Sequence, residues 1–106
     1  MQQIYPFRVH NETIFAYYQQ LFTVSQTRVE LIASVAAKLS GKKEIDIMII
    51  TPSITDFIRI AKQNKFRKGI VVDDEGFMRT TREGIIVELH IVSQNHKKIA
   101  IYRKVV

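Results

Sequence analysis

Gly84-Ile85-Ile86-Val87-Glu88-Leu89-His90-Ile91-Val92 is the stretch that decides the fold. Successive side chains of an extended chain point to opposite faces, so Ile85, Val87, Leu89 and Ile91 share one side and Ile86, Glu88, His90 and Val92 the other. The first side is wholly apolar, as expected of a strand resting on a core. The same period of two holds from Gly69 to the C-terminus and predicts strands near 69–73, 77–81, 84–92 and 98–105. Asp73-Asp74-Glu75-Gly76 and Ser93-Gln94-Asn95-His96 have hairpin composition, and Arg82-Glu83-Gly84 reads as a turn or a bulge. Together these segments predict a C-terminal four-strand meander.

Upstream, the period lengthens. Gln2 to Val9 contains Pro6 and reads as a short edge strand, where a missing backbone donor is tolerated. A helix is expected over 12–22, with Asn11 as its N-cap and Ile14, Tyr17, Tyr18 and Leu21 as its apolar stripe. Thr27-Arg28-Val29-Glu30 matches a capping box, and Gly41 is a suitable stop, which predicts a second helix over 27–40. Its polar residues Glu30, Ser34 and Lys38 form one narrow stripe, so it should be buried on most sides. Glu44 to Ile50 is strongly apolar apart from Asp46 and predicts a central strand. Ser53 then caps a third helix, with Asp56 near its positive end and Ile54, Phe57, Ile58 and Ala61 on its buried face.

The expected fold is therefore α+β, with three helices packed on one face of a mainly antiparallel sheet that ends in the meander. At 106 residues the chain reads as a single domain, 1–106, able to bury a core without metal or disulfide staples. It contains no cysteine, which excludes a thiolate metal site and a cysteine nucleophile. No apolar run approaches the roughly eighteen residues needed to span a bilayer, and no leader pattern opens the sequence, so a soluble, cytoplasmic protein without membrane association is expected.

Charge is distributed unevenly. Residues 1–58 carry five basic and five acidic side chains, whereas residues 59–106 carry eleven and five, which accounts for the whole net charge of +6. A confined excess of this kind makes a field that polyanions read. The expected function is a small, non-enzymatic nucleic-acid-binding or regulatory protein, DNA or RNA being the partner. Its contacts would be Arg59, Lys62, Lys65, Arg67, Lys68, Arg79, Lys97, Lys98, Arg103 and Lys104, with Phe66 and Tyr102 stacking on unpaired bases. The alternative is a protein-interaction or assembly module, an inhibitor or structural subunit, whose basic face docks on an acidic protein. The apolar segment 27–40 either fills the core or meets its copy in a homodimer, where Ala33, Ala36 and Ala37 would permit close approach.

Enzymatic signatures are weak. Asp73, Asp74 and Glu88 invite comparison with a metal-dependent nuclease, and Ile85 to His90 is faintly similar to the Glu-x-Lys strand of the PD-(D/E)xK nucleases. There, however, His90 stands where lysine belongs, and a hairpin is expected where that family has a helix. His10, His90 and His96 lack metal-ligand spacing, and the serines are accounted for as caps, helix-face and turn residues. The four glycines form no phosphate-cradling loop. No metal or other cofactor is expected.

Overall fold

The computed structural model describes residues 8–24, 26–32 and 43–104. In chain order these form α1 (Arg8–Phe22), β1 (Arg28–Leu31), β2 (Glu44–Ile50), α2 (Ile54–Gln63), β3 (Arg67–Val72), β4 (Glu75–Arg82), β5 (Ile85–Val92) and α3 (Lys98–Arg103). The strands make one five-stranded sheet in the order β1-β2-β5-β4-β3. β2 and β5 pair in parallel and the other three pairings are antiparallel. The fold is thus mixed α+β, and the apolar strand β2 lies inside the sheet as its composition predicts.

The alternation read in residues 84–92 separates the two faces. Ile85, Val87, Leu89 and Ile91 join Ile45, Ile47 and Ile49 of β2 and Val29 of β1 in the main core. α1 closes this face with Ile14, Tyr18 and Phe22, and α2 with Phe57 and Ala61. The rings of Phe22 and Phe57 meet edge to face at 5.0 Å, and Phe66 meets Tyr18 at 5.4 Å. Burying a ring of this kind stabilises the fold by about 1.5–3 kcal/mol, so this cluster is a main source of helix–sheet cohesion.

Ser53 caps α2 as expected, its hydroxyl accepting from the backbone N–H of Asp56 at 3.2 Å. The helix stops where Lys65 turns left-handed, with φ of 72°. The Lys65 N–H then donates to the Lys62 carbonyl and the Phe66 N–H to that of Ala61, which satisfies carbonyls the helix end would leave open. Phe66 is thereby folded back into the core.

Several expectations are corrected. Residues 28–31 are not helical but form β1, with Val29 and Leu31 on the core side and Glu30 opposite. Glu30 is held there by Arg103, so a long-range ion pair replaces the capping box. Residues 33–40 of the proposed second helix lie outside the described residues, and the helical homodimer contact loses its premise at its N-terminal end. Residues 98–103 are helical rather than extended, because Ile99 and Tyr102, three apart, cover the apolar patch Met48, Ile50 and Val92. That patch is on the face opposite α1 and α2, so the helices do not share one side of the sheet. The meander has three strands, and 93–96 leads into α3. At the N-terminus, Arg8 and Val9 belong to α1, Asn11 is buried within it, and 2–7 of the proposed edge strand lie outside the described residues.

Candidate cation-binding face of the sheet

The face opposite the main core carries the polar half of the alternation. Asp46 of β2 and Glu88 of β5 are direct partners in the parallel register, and His90 is the next residue of β5 on the same side. Ligand atoms of these three residues lie within 4.8 Å of one another, and all three are half-buried. Nε2 of His90 is 3.5 Å from Oδ1 of Asp46 and 3.6 Å from Oε1 of Glu88. These are ion-pair distances rather than well-made hydrogen bonds, and the buried Asp46 Oδ1 and His90 Nε2 have no hydrogen-bond partner among the described residues.

Behind His90 stands Glu75, the first residue of β4, whose side chain has no exposed surface. Its carboxylate accepts from Lys98 Nζ at 2.7 Å and from the Tyr102 hydroxyl at 2.5 Å, and pairs with His90 Nδ1 at 3.2 Å. Burial pushes the Glu75 pKa up, but the bonds from Lys98, Tyr102 and His90 outweigh it and leave it below the ordinary value. The opposite balance holds His90: burial lowers its pKa, and Asp46 and Glu75 together raise it further, so the net shift is upward. Burial and the Glu75 carboxylate push the Tyr102 hydroxyl far up. Arg79, exposed on β4, donates to Glu88 Oε2 at 2.9 Å and borders the cluster.

Of the residues singled out for nucleic-acid contact, Lys98, Tyr102 and Arg79 come to this face, but each is engaged with a carboxylate. Arg103 makes a two-pronged contact to Glu30, at 2.8 and 2.6 Å, which holds the Glu30 carboxyl below its ordinary pKa. Arg59 pairs with Asp56 on its own helix. Lys62, Lys65 and Arg67 are exposed around the end of α2 and the start of β3, and Lys68 follows on β3. Lys97 and Lys104 are exposed at the two ends of α3. Because α2 and α3 pack on opposite faces, the sheet separates Arg59 and Lys62 from 97–104, whereas Arg67 is the register partner of Arg79 and shares its face. Phe66 is buried in the aromatic cluster, with no open ring face for a base.

The acidic trio also separates. Asp73 and Asp74 are exposed in the two-residue turn before β4, both left-handed. Glu75 pairs with Val92 and Arg79 with Glu88, so Glu88 lies four positions along β4 from that turn. The acid that meets Glu88 is Asp46. Its signal in the sequence is a charged residue within the most apolar strand, which costs stability unless something pairs with it. His96 donates from Nε2 to the Asp73 carbonyl at 3.0 Å and His10 Nε2 lies at 3.4 Å from that of Glu83, in keeping with surface-network histidines.

Fold and site together define a small α+β domain with a mixed five-stranded sheet, helices on both faces and a carboxylate–histidine cluster on the less covered one. No protein-family model matches the chain, and no curated protein matches it. Among solved structures, the conserved protein GrpB from Enterococcus faecalis is similar, with a TM-score of 0.63 at 16% identity over 91% of this chain. The chain spans 62% of the length of GrpB. At that identity the likeness shows the fold alone. No helix among the described residues is long and apolar enough to cross a membrane.

Proposed function

We propose that this protein binds a divalent cation through Asp46, Glu88 and His90, and with Arg79 alongside uses it to hold a phosphate group of a nucleotide or nucleic acid. The observation that carries this reading is the convergence of three ligand atoms within 4.8 Å on neighbouring strands. Two carboxylates and one imidazole suit Mn²⁺ or Zn²⁺, and a cation there would satisfy both orphaned buried atoms. The imidazole must be neutral to ligate, so metal displaces the proton that the surrounding carboxylates favour, and binding strengthens as pH rises. The role is binding, with no catalytic step assigned.

Calorimetric titration with Mn²⁺ at pH 6 and pH 8 tests this. Tighter binding at pH 8 that is lost in Asp46→Asn is expected. Absence of binding, or binding indifferent to Asp46→Asn, refutes the site and leaves the His90 imidazolium as the cation of the cluster.

A second reading, nucleic-acid binding by the basic surface, is favoured by Lys62, Lys65 and Arg67. They are neighbours in sequence and exposed, and they make no ion pair with the described residues. Fluorescence polarisation with single-stranded DNA, duplex DNA and RNA at two salt concentrations checks it: binding should fall steeply with salt and weaken in Lys65→Glu and Arg67→Glu. Binding to an acidic protein in place of all three polymers would transfer the surface to the alternative role.

A further inference from the structure

β3 is an outer strand of the sheet, and it is unusually apolar on its exposed parts. Ile70, Val71 and Val72 are 65%, 57% and 48% exposed. No other three consecutive large apolar residues are exposed among the described residues. Since neighbours along a strand point to opposite faces, this run leaves apolar surface on both sides of the edge, a liability that edge strands usually blunt with charge or irregularity. Here the blunting is confined to one end. The register slips between Arg67 and Ile70, and the two basic residues Arg67 and Lys68 sit at that slip. The last three residues of β3 pair regularly with Phe77, Gly76 and Glu75 and are left open outward.

Charge along the strand is polar in a telling way: basic at its start, Arg67 and Lys68, and acidic just past its end, Asp73 and Asp74. A strand of this pattern complements itself when reversed. We infer that the β3 edge pairs antiparallel with β3 of a second copy of this chain, joining two five-stranded sheets into one. A two-fold axis perpendicular to the sheet requires that opposed residues share a face, so it must pass through a residue and its own copy. With Ile70 or Val71 on the axis, the basic start of each strand is brought toward the acidic turn, Asp73 and Asp74, that follows the other. Both registers cover the exposed apolar run and set unlike charges together, whereas a parallel pairing would align like charges. The inference is independent of the cation site, which belongs to β2 and β5.

Light scattering after size exclusion, with the full chain loaded between about 1 and 200 µM, where small interfaces assemble, reads the mass directly. The wild type should shift from monomer to dimer across that range, and Ile70→Lys and Val71→Lys should each hold it at the monomer mass. Both positions are exposed, so the unfolding temperature of the variants should match the wild type and shows that the fold survives. Arg67→Glu should weaken the dimer, and Arg67→Glu combined with Asp73→Lys should restore it. A wild type that stays monomeric throughout, or a dimer that persists in both lysine variants, overturns the inference. A dimer indifferent to Arg67→Glu overturns the charge-paired register.

Discussion

Glu75→Gln removes one negative charge from a fully buried position while keeping the side chain's shape. In the wild type the carboxylate receives Lys98, Tyr102 and His90 together, on oxygens that can only accept. A carboxamide offers one accepting oxygen, and its NH₂ group must confront at least one of those donors. Removing one partner of a buried charged pair costs about 3–5 kcal/mol, and the low end applies because the Lys98 side chain is one-third exposed and can turn to water. For a chain of this size the melting entropy is roughly 0.2 kcal/mol per kelvin, so a loss of about 3 kcal/mol lowers Tm by about 13 °C. The effect should be largest in α3, whose two links to Glu75 supplement the contacts of Ile99 and Tyr102. Differential scanning calorimetry gives the shift, and amide exchange across residues 98–103 shows where protection is lost. The pH dependence adds a second reading. The folded pKa of Glu75 lies below its ordinary value, so its contribution is present above the unfolded carboxylate pKa and is lost as pH falls through the folded one. The variant should lack that part of the acid destabilisation. A Tm within about 3 °C of wild type, small against the shift expected, or an unchanged acid limb, would refute the argument that Glu75 organises this face.

Other perturbations separate the remaining contacts. His90 has a folded pKa above its ordinary value, so its contribution is full below pH about 6.5 and fades as pH rises through the folded pKa; His90→Gln should flatten the fall in Tm between pH 6 and 9, and an unaltered slope would place the titration elsewhere. Gly69→Ala should detach β3, because a Cβ there would lie 1.3 Å from the Phe77 carbonyl oxygen; loss of amide protection over 67–72 with β5 still protected is the expected pattern, and full retention contradicts it. Phe66→Ala should cost about 3–5 kcal/mol as a core cavity, far more than a surface base-stacking residue would, and urea unfolding measures the difference.

The cluster on the less covered face is built so that its charges depend on one another. His90 touches Asp46, Glu75 and Glu88, and Arg79 and Lys98 complete the ring of charges from the neighbouring strand and helix. An imidazolium satisfies this arrangement at low pH and a divalent cation would satisfy it at high pH, which is why the same residues serve both structure and the proposed binding. Arg79 stands at the border between the cluster and solvent, where a phosphate would approach.

How much of this was legible depends on the range of the forces involved. The alternation of 85–92, the strand 44–50 and the capped helix beginning at Ser53 were readable because their signals are local and agree with the structure's own demands. Val29 and Leu31 depart from the expected helix because a segment rich in β-branched and aliphatic residues fits a buried helix as well as a strand, and what selects the strand is pairing with β2 and the reach of Arg103 to Glu30 across the chain. Ile99 and Tyr102 depart from the expected strand for the converse reason: six residues carry too little periodicity to separate the two forms, and the patch of Met48, Ile50 and Val92 decides it. Asp46 was visible only as an anomaly in an apolar strand.

By itself the sequence determined the α+β class, the apolar sides of β2 and β5, the turns at 73–74 and 83–84, and the location of the charge excess in the second half. The tertiary structure alone decided that β2 and β5 run parallel with Asp46 beside Glu88, that α3 covers the second face, and that the basic residues of α2 and α3 lie on opposite sides of the sheet. The physical reason is that side-chain periodicity is set by neighbours along the chain, whereas strand order, and with it the meeting of charges distant in sequence, is set by which surfaces bury each other.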